Sequence, residues 1–432
     1  MPAIGIRRED KNEWERRVPF TPDHVKDLIQ HGVEVHVQPS RIRVFPDEEY
    51  EKAGALVQDD LSECDVVFGI KEMPSSIFME DQAYMFFAHV IKGQKYNMPM
   101  LKRLMDVGGT LLDYEKVTDD ANRRLIFFGN YAGLAGMLET FYTLGKRLEW
   151  EGIRSPFSAL KRPLEYASLG EAKAALAVIG KWIEIDGLPE NISPLIVGFA
   201  GYGNVSKGAQ EIFDILPHEE IAPEKLAVMV KSGKLSRHKV YKVVFYEKDM
   251  VVPVKPDDAF ELQDYFKHPE KYRGVFDRYL EHLAVLVNCI YWDSRYPRLV
   301  TKDWLKAHWV KGKMLRVIGD ISIDVNGAIE ASEKAADPGN PIFTFDVKTG
   351  AVADGWEGNG PVIMAVDTLP SELPREASTY FGNQLLPFVI DIARADYHKS
   401  FADLYLPTPI KRAVIVHEGK LTPDYEYIQK YL

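Results

Sequence analysis

The feature that most limits how this chain folds is the stretch Pro194-Leu-Ile-Val-Gly-Phe-Ala-Gly201-Tyr-Gly203-Asn204-Val205-Ser206-Lys-Gly208. An apolar run leads into closely spaced glycines and then into a helical pattern, so the segment reads as a buried strand, a tight turn and the start of a helix. In such a unit the first glycine permits the turn and the second lets the backbone approach a pyrophosphate. That charge then rests on the free N–H groups and positive dipole end of the helix. Gly201 and Gly203 fit those two places, and Asn204 and Val205 open the helix. Ser206 holds the third place of a G-x-G-x-x-G pattern, small enough for close helix–strand packing and able to cap the helix. An ordinary glycine turn carries the same bare pattern, so the stretch marks a candidate dinucleotide site.

At 432 residues the chain is long for a single core, and two domains, interleaved or in series, are expected. Acidic residues outnumber basic ones, 64 to 53, and no dense Lys/Arg block is interleaved with aromatics. Nucleic acid is therefore not an expected partner. The two cysteines, Cys64 and Cys289, lie in apolar surroundings far apart in sequence, which implies neither a disulfide framework nor a metal site and fits a reducing cytoplasm. The first residues run straight into a strand pattern without a signal-peptide profile. The longest apolar runs, such as Tyr84 to Ala88, are strand-sized, far short of the roughly 20 residues of a membrane helix.

Several short apolar runs in the first region end in residues that can do chemistry. Asp65 to Ile70 ends at Lys71-Glu72, Ala83 to Ala88 at His89, and Thr110 to Tyr114 at Glu115, while Ala3 to Ile6 ends at Arg7-Arg8. Continuous rather than alternating runs suggest parallel strands covered on both faces, and ligands bind at the carboxyl ends of such strands. Lys71, His89 and Glu115 are thus expected on one sheet edge, where an ammonium, an imidazole and carboxylates can move protons around a carbonyl carbon. Each taken singly also reads as a solvated strand-end residue. Arg17, in the charged loop after the first strand, and Arg123-Arg124 are suited to carboxylate capture, or to a mixed-charge surface. Thr21-Pro22 predicts a helix start for residues 23–30.

Further along, Leu134, Met137, Leu138, Phe141, Leu144 and Leu148 repeat at helical spacing after Asn130, and Ser168-Leu-Gly-Glu171 predicts a capped helix to about residue 185. The acid that would hold the adenosine ribose is not fixed. Glu219 and Glu220 lie about 20 residues beyond the glycine turn, between prolines, and a strand from Val240 to Tyr246 ends at Glu247-Lys248-Asp249. Asp320 and Asp324, around a strand end with an Asn-Gly turn, face the nicotinamide end of the site or simply close the strand. A helix is expected from Arg375 to Ala393, returning the chain to the first region.

These residues resemble the lysine 2-oxoglutarate reductase, or lysine-forming saccharopine dehydrogenase, family within the alanine dehydrogenase and transhydrogenase group. The resemblance covers nearly the whole chain. It is carried by Gly5-Ile-Arg-Arg-Glu-Asp with Trp14-Glu-Arg-Arg17, Gln38-Pro-Ser, Phe86-Phe-Ala-His89-Val-Ile-Lys92, Asp113-Tyr-Glu115-Lys and the glycine stretch. Asn288-Cys-Ile-Tyr-Trp-Asp, Asp320-Ile-Ser and Leu421-Thr-Pro-Asp-Tyr-Glu-Tyr-Ile-Gln continue it. The resemblance implies an α/β protein of two Rossmann-like domains with parallel sheets and an interdomain cleft. The substrate domain would be residues 1–130 plus 375–432 and the dinucleotide domain 131–374, with hinges near 130 and 374. It implies NAD(P)-dependent joining of lysine's ε-amine to 2-oxoglutarate to give saccharopine, or the reverse.

Carried over by motif, Lys71 and His89 are the acid/base pair, and Glu72 and Glu115 tune Lys71 or hold the amine. Arg17 and Arg124, with Lys92, bind substrate carboxylates, and Gly201, Gly203, Asn204, Val205, Ser206 and Asp320 or Asp324 hold NAD or NADP. In animals and plants this module is usually fused to a second dehydrogenase that splits saccharopine, a step expected here of another protein. Two alternatives stay open: another opine-forming or amino-acid dehydrogenase on the same scaffold, and a non-catalytic dinucleotide-binding module.

Overall fold

Short apolar runs become buried parallel strands in both halves of the chain. The computed structural model describes Met1–Leu432, which divide into two units, Met1–Phe128 with Pro374–Leu432, and Gly129–Leu373. In the first unit, β1 (Ala3–Ile6), β2 (Glu34–Val37), β3 (Leu56–Val57), β4 (Val66–Phe68), β5 (Ala83–Phe86) and β6 (Thr110–Asp113) lie in the order β3-β2-β1-β4-β5-β6. All these neighbours are parallel, with Ile6 opposite both Val37 and Phe68, and Met85 opposite Phe68 and Leu112. Every residue of β1, β4, β5 and β6 is buried, as strands covered on both faces require. The strands Val414–His417 and Lys420–Leu421 cover the outer edge of β6 antiparallel. Strand order reverses between β1 and β4, so the chain leaves these two carboxyl ends in opposite directions and opens a crevice there.

The helices α1 (Pro22–Gln30), α2 (Asp47–Ala53) and α3 (Met98–Asp106) flank this sheet. Thr21 caps α1 as its sequence predicts. Its hydroxyl accepts the His24 N–H at 3.4 Å, while His24 Nδ1 accepts the Thr21 N–H at 3.1 Å, so a histidine takes the place usual for Glu or Gln. The later helix Pro374–Arg394 belongs to the same unit. Its Ser378 hydroxyl accepts the Val18 N–H, and its Phe381 ring stacks on Phe128 with centroids 4.7 Å apart.

In the second unit α4 (Gly129–Trp150) and α5 (Leu169–Asp186) precede β7 (Ile196–Ala200), α6 (Asn204–Phe213), β8 (His218–Glu220) and β9 (Val240–Phe245). A small ribbon, β10 (Val251–Pro253) with β11 (Tyr272–Gly274), stands apart from the main sheet. The strands β12 (Val285–Asn288), β13 (Val317–Asp320), β14 (Ile342–Phe345), β15 (Val352–Asp354) and β16 (Val362–Met364) complete a sheet of order β15-β14-β16-β13-β12-β7-β9-β8. Its stretch from β16 to β8 is parallel, and β14 and β15 extend it antiparallel. No helix of the chain is long and apolar enough to cross a membrane.

Ser206 is not the helix cap its position suggested. Gly203, with extended ψ, is the N-cap of α6, and Ser206 lies buried one turn in, accepting the Gln210 amide N–H at 2.9 Å. Close packing at this turn comes instead from two glycines where α4 and α6 touch. A Cβ on Gly133 would stand 1.9 Å from the Val205 carbonyl oxygen, and one on Gly208 2.1 Å from that of Asn130.

Candidate active site

The carboxyl ends of β1, β4, β5 and β6 carry a cluster of polar and charged side chains. Lys71 and Glu72 follow β4, and both are partly buried. Glu9, after β1, pins this loop, since its two carboxylate oxygens accept the Ile70 N–H at 2.6 Å and the Lys71 N–H at 3.0 Å. Burial is the chief cause that pulls the Lys71 ammonium below its ordinary 10.5, and the Arg17 charge adds to it. A lysine so placed reaches its neutral, proton-accepting form nearer to physiological pH.

Glu72 joins the lysine loop to the histidine. Its Oε1 lies 2.7 Å from His89 Nδ1, and its Oε2 accepts from Lys11 Nζ at 2.7 Å. Burial alone would raise the Glu72 carboxyl, but the His89 and Lys11 hydrogen bonds outweigh it and hold the group well below the usual carboxylate range. A carboxylate at Nδ1 fixes the proton there, which leaves Nε2 of neutral His89 as the acceptor. The histidine itself has φ +49°, a left-handed backbone that Asn97 stabilises by donating to the Ala88 carbonyl at 2.9 Å and the His89 carbonyl at 3.3 Å.

Arg17 stands in a different state from a free carboxylate receptor. It is 4 % exposed, its Nε and Nη2 donate to the two oxygens of Glu15 at 2.7 and 2.6 Å, and it lies over the Phe128 ring. The guanidinium fork that suited a substrate is occupied by the chain's own Glu15. Burial pushes the Glu15 carboxyl up, and Arg17 more than offsets this, so the group stays ionised. Arg124 and Glu115 are brought together, Nη2 donating to Oε1 at 2.7 Å, with the arginine about half exposed. Lys92 is exposed in the turn beyond His89, where its backbone N–H donates to Gln94.

Three residues of this cluster escape the sequence reading as site groups: Glu9, Lys11 and Glu15. The signal was their crowding into the charged loop after the first strand, but charge alone does not distinguish a solvated loop from a buried one. Arg7 Nε and Nη1, Asp113 Oδ2 and Tyr114 Oη are buried without a protein partner. Burial raises the Asp113 carboxyl from its ordinary 3.8 to about 7, and Glu9 is likewise raised to about 7. The folded state thus keeps a proton that the unfolded chain releases. Below about pH 4 both states hold it and there is no cost, while above about pH 7 the cost of the buried charge is complete. Stability measured by chemical unfolding should fall between these limits, and Asp113→Asn should flatten part of that slope, Glu9 carrying the rest.

The second unit holds the glycine turn. Gly201 has φ +98°, the left-handed backbone a strand-to-helix turn needs, and beyond Gly203 no atom lies within 4 Å of where a Cβ would be. No side chain caps α6, so its first amides, those of Asn204 and Val205 included, are free for an anion. A cavity of about 390 Å³ opens beside the turn, lined by Gly201, Gly203, Glu247, Tyr265, Ile290 and Tyr296 among others. These features fit a dinucleotide, with the pyrophosphate on the open side of Gly203. The three glutamates that the sequence offers for the ribose differ in where they lie. Glu219 and Glu220 sit on β8 at the sheet edge near Lys239 and Lys242, with β9 between them and the glycine strand. Glu247 follows β9, the direct neighbour of β7, and lies on the cavity wall 3.4 Å from the Tyr202 hydroxyl.

Asp320, at the end of β13, is buried and engaged within the chain. Its Oδ1 accepts from Asn288 at 2.8 Å and its Oδ2 from the Ser332 hydroxyl at 2.5 Å, and burial raises it to about 6. Asp324 lies in the following turn, where its carbonyl accepts the Gly327 N–H at 2.8 Å.

Residues 5–135 match the family described as alanine dehydrogenase/PNT, N-terminal domain, and residues 274–424 match alanine dehydrogenase/PNT, C-terminal domain. An alpha-aminoadipic semialdehyde synthase of Arabidopsis thaliana is 39 % identical over 99 % of this chain, which spans only 41 % of that longer protein. A saccharopine dehydrogenase [NAD(+), L-lysine-forming] of Neurospora crassa is 30 % identical, covering 90 % of this chain and 91 % of its own. A solved L-alanine dehydrogenase superposes with a TM-score of 0.63 over 99 % of this chain and 98 % of its own at 18 % identity, which speaks for the fold. The network at the strand ends, the dinucleotide turn and these full-length likenesses agree: the chain belongs to the lysine-forming saccharopine dehydrogenase family, within the alanine dehydrogenase and transhydrogenase group.

Proposed function

We propose that this protein is an NAD(H)-dependent saccharopine dehydrogenase that joins the ε-amine of lysine to the keto carbon of 2-oxoglutarate, or runs the reverse reaction. The observation that carries the reading is Lys71, partly buried with its ammonium destabilised, beside a Glu72–His89 pair. In the joining direction neutral Lys71 takes a proton from the substrate ammonium, and the freed amine adds to the keto carbon to form a carbinolamine. In that step His89 Nε2 carries the proton shed by the added nitrogen to the oxygen, and return of the proton from Lys71 to the hydroxyl then lets water leave and gives the protonated imine. The bound dinucleotide supplies hydride to the imine carbon. Glu115 and Arg124 form the charged rim for the amine and carboxylate ends of the substrates, with Lys92 further out. Arg17 acts with Glu15 to set the field at Lys71.

The preference for NAD over NADP rests on Glu247. A carboxylate at the end of the strand next to the glycine strand accepts from a ribose 2′-hydroxyl and repels a 2′-phosphate. Purified protein is mixed with NADH or NADPH, 2-oxoglutarate and each amino acid in turn, following absorbance and identifying the product by mass. Lysine with NADH should give saccharopine. Turnover with a different amine instead would replace the substrate, and none with any amine would leave a dinucleotide-binding module. Glu247→Ala should narrow the NADH-over-NADPH ratio of kcat/KM by ~10-fold or more, the worth of a hydrogen bond to a charged group. An unchanged ratio would remove Glu247 from the ribose.

A further inference from the structure

The run of 3₁₀ turns Pro423–Tyr431 contains a Tyr425-Glu-Tyr427-Ile428 motif to which the chemistry above gives no role. The residues after 424 also lie beyond the part of the chain matched to the C-terminal family domain. Ile428 is fully buried in one apolar cluster with Ala88, Val90 and Met98, residues within and on either side of the loop bearing His89 and Lys92. From that anchor two tyrosines reach the loop. The Tyr427 hydroxyl donates to the Ile91 carbonyl at 2.7 Å. The Tyr431 ring lies on Gly93, so that a Cβ there would stand 2.5 to 2.7 Å from three ring carbons.

The loop needs such support. His89 at φ +49° and Gly93 at φ +68° both hold left-handed backbone, which a histidine keeps only where its surroundings impose it. Asn97 ties the Ala88 and His89 carbonyls at the start of the loop. Tyr427 ties Ile91 and Tyr431 covers Gly93 further along it. Both rings are more than two-fifths exposed, so neither fills the core, and the contacts named here are what they add.

We infer that Tyr427 and Tyr431 are positioning residues, a strap that holds the His89–Lys92 loop in its reactive form; this rests on the proton-transfer role given to His89. Tyr427→Phe removes only the hydroxyl, and Tyr431→Leu removes the ring face while keeping apolar bulk. In either variant amide exchange of residues 89–95 should quicken ~10-fold, because the loop opens more often. The kcat should fall ~10-fold, as small misplacements of a proton donor do, with the NADH dissociation constant and the unfolding midpoint unchanged. Quicker exchange with unchanged kcat, or a kcat that falls only in step with the unfolding midpoint, would make the tyrosines structural and overturn the inference. Unchanged exchange would remove the strap altogether. Exchange is read without substrate, so a wild-type protein that does not oxidise NADH with lysine sinks the proposed reaction, and the strap then stands or falls on exchange alone.

Discussion

Lys71→Met is expected to abolish turnover, lowering kcat by ~10²–10⁴-fold or more, while leaving NADH binding intact. Methionine keeps the length and most of the apolar contact of the lysine stem, so the loss isolates the amine. The Gly201–Gly203 turn and the α6 amides, to which dinucleotide binding is assigned in the proposal, are not built by Lys71. The pH profile separates this loss from simple misfolding. In the wild type, activity in the joining direction should fall as pH drops through the Lys71 pKa, because protonation removes the acceptor. Burial and Arg17 place that limb below the ordinary lysine value of 10.5. Residual activity in Lys71→Met should lack the limb, and a variant that kept both rate and limb would transfer the proton shuttle to another group.

How much of this was legible in the sequence depended on whether a residue's role follows from local pattern. The common place of Lys71, His89 and Glu115 could be read because each follows an unbroken apolar run, and parallel strands gather their carboxyl ends whatever the spacing between them. Gly201 and Gly203 could be read for the same reason. Glu247 could only be a candidate, because an extra edge strand, β8, is inserted before the strand that pairs with β7. That insertion carries the end of the strand next to β7 far beyond the usual interval and sets Glu219 and Glu220 where an acid would be sought. Ser206 misled because the cap is the last residue to keep extended geometry before the helix, and that residue is Gly203. Gly133 and Gly208 were invisible as partners, since close contact between α4 and α6 is a property of two helices far apart in sequence. Glu15 was missed as the partner of Arg17 because a two-residue spacing in a loop carries no periodic signal, and only burial shows that the pair is closed.

The pairing of Arg17 with Glu15 leads to the largest stability effect. Arg17→Met should destabilise the protein by about 3–5 kcal/mol, because it leaves Glu15, 2 % exposed, as a buried carboxylate without its partner. The double change Arg17→Met with Glu15→Met should recover most of that loss, since apolar groups of similar volume replace a buried ion pair at little net cost. Unfolding by denaturant reads both, and a double variant as unstable as the single one would mean that packing against Phe128, not charge, sets the effect. Catalysis should not follow stability. Arg17 lowers the Lys71 pKa and Glu15 raises it, so removing Arg17 alone leaves the ammonium facing an unopposed carboxylate. The activity limb should then move to higher pH in the single variant and return toward the wild-type position in the double one, where burial remains the chief influence on Lys71 beside Lys11 and Glu72. A pair kept only for folding would leave the limb fixed in all three proteins, whereas a limb that moves out and back would make the buried ion pair part of how this site prepares its lysine.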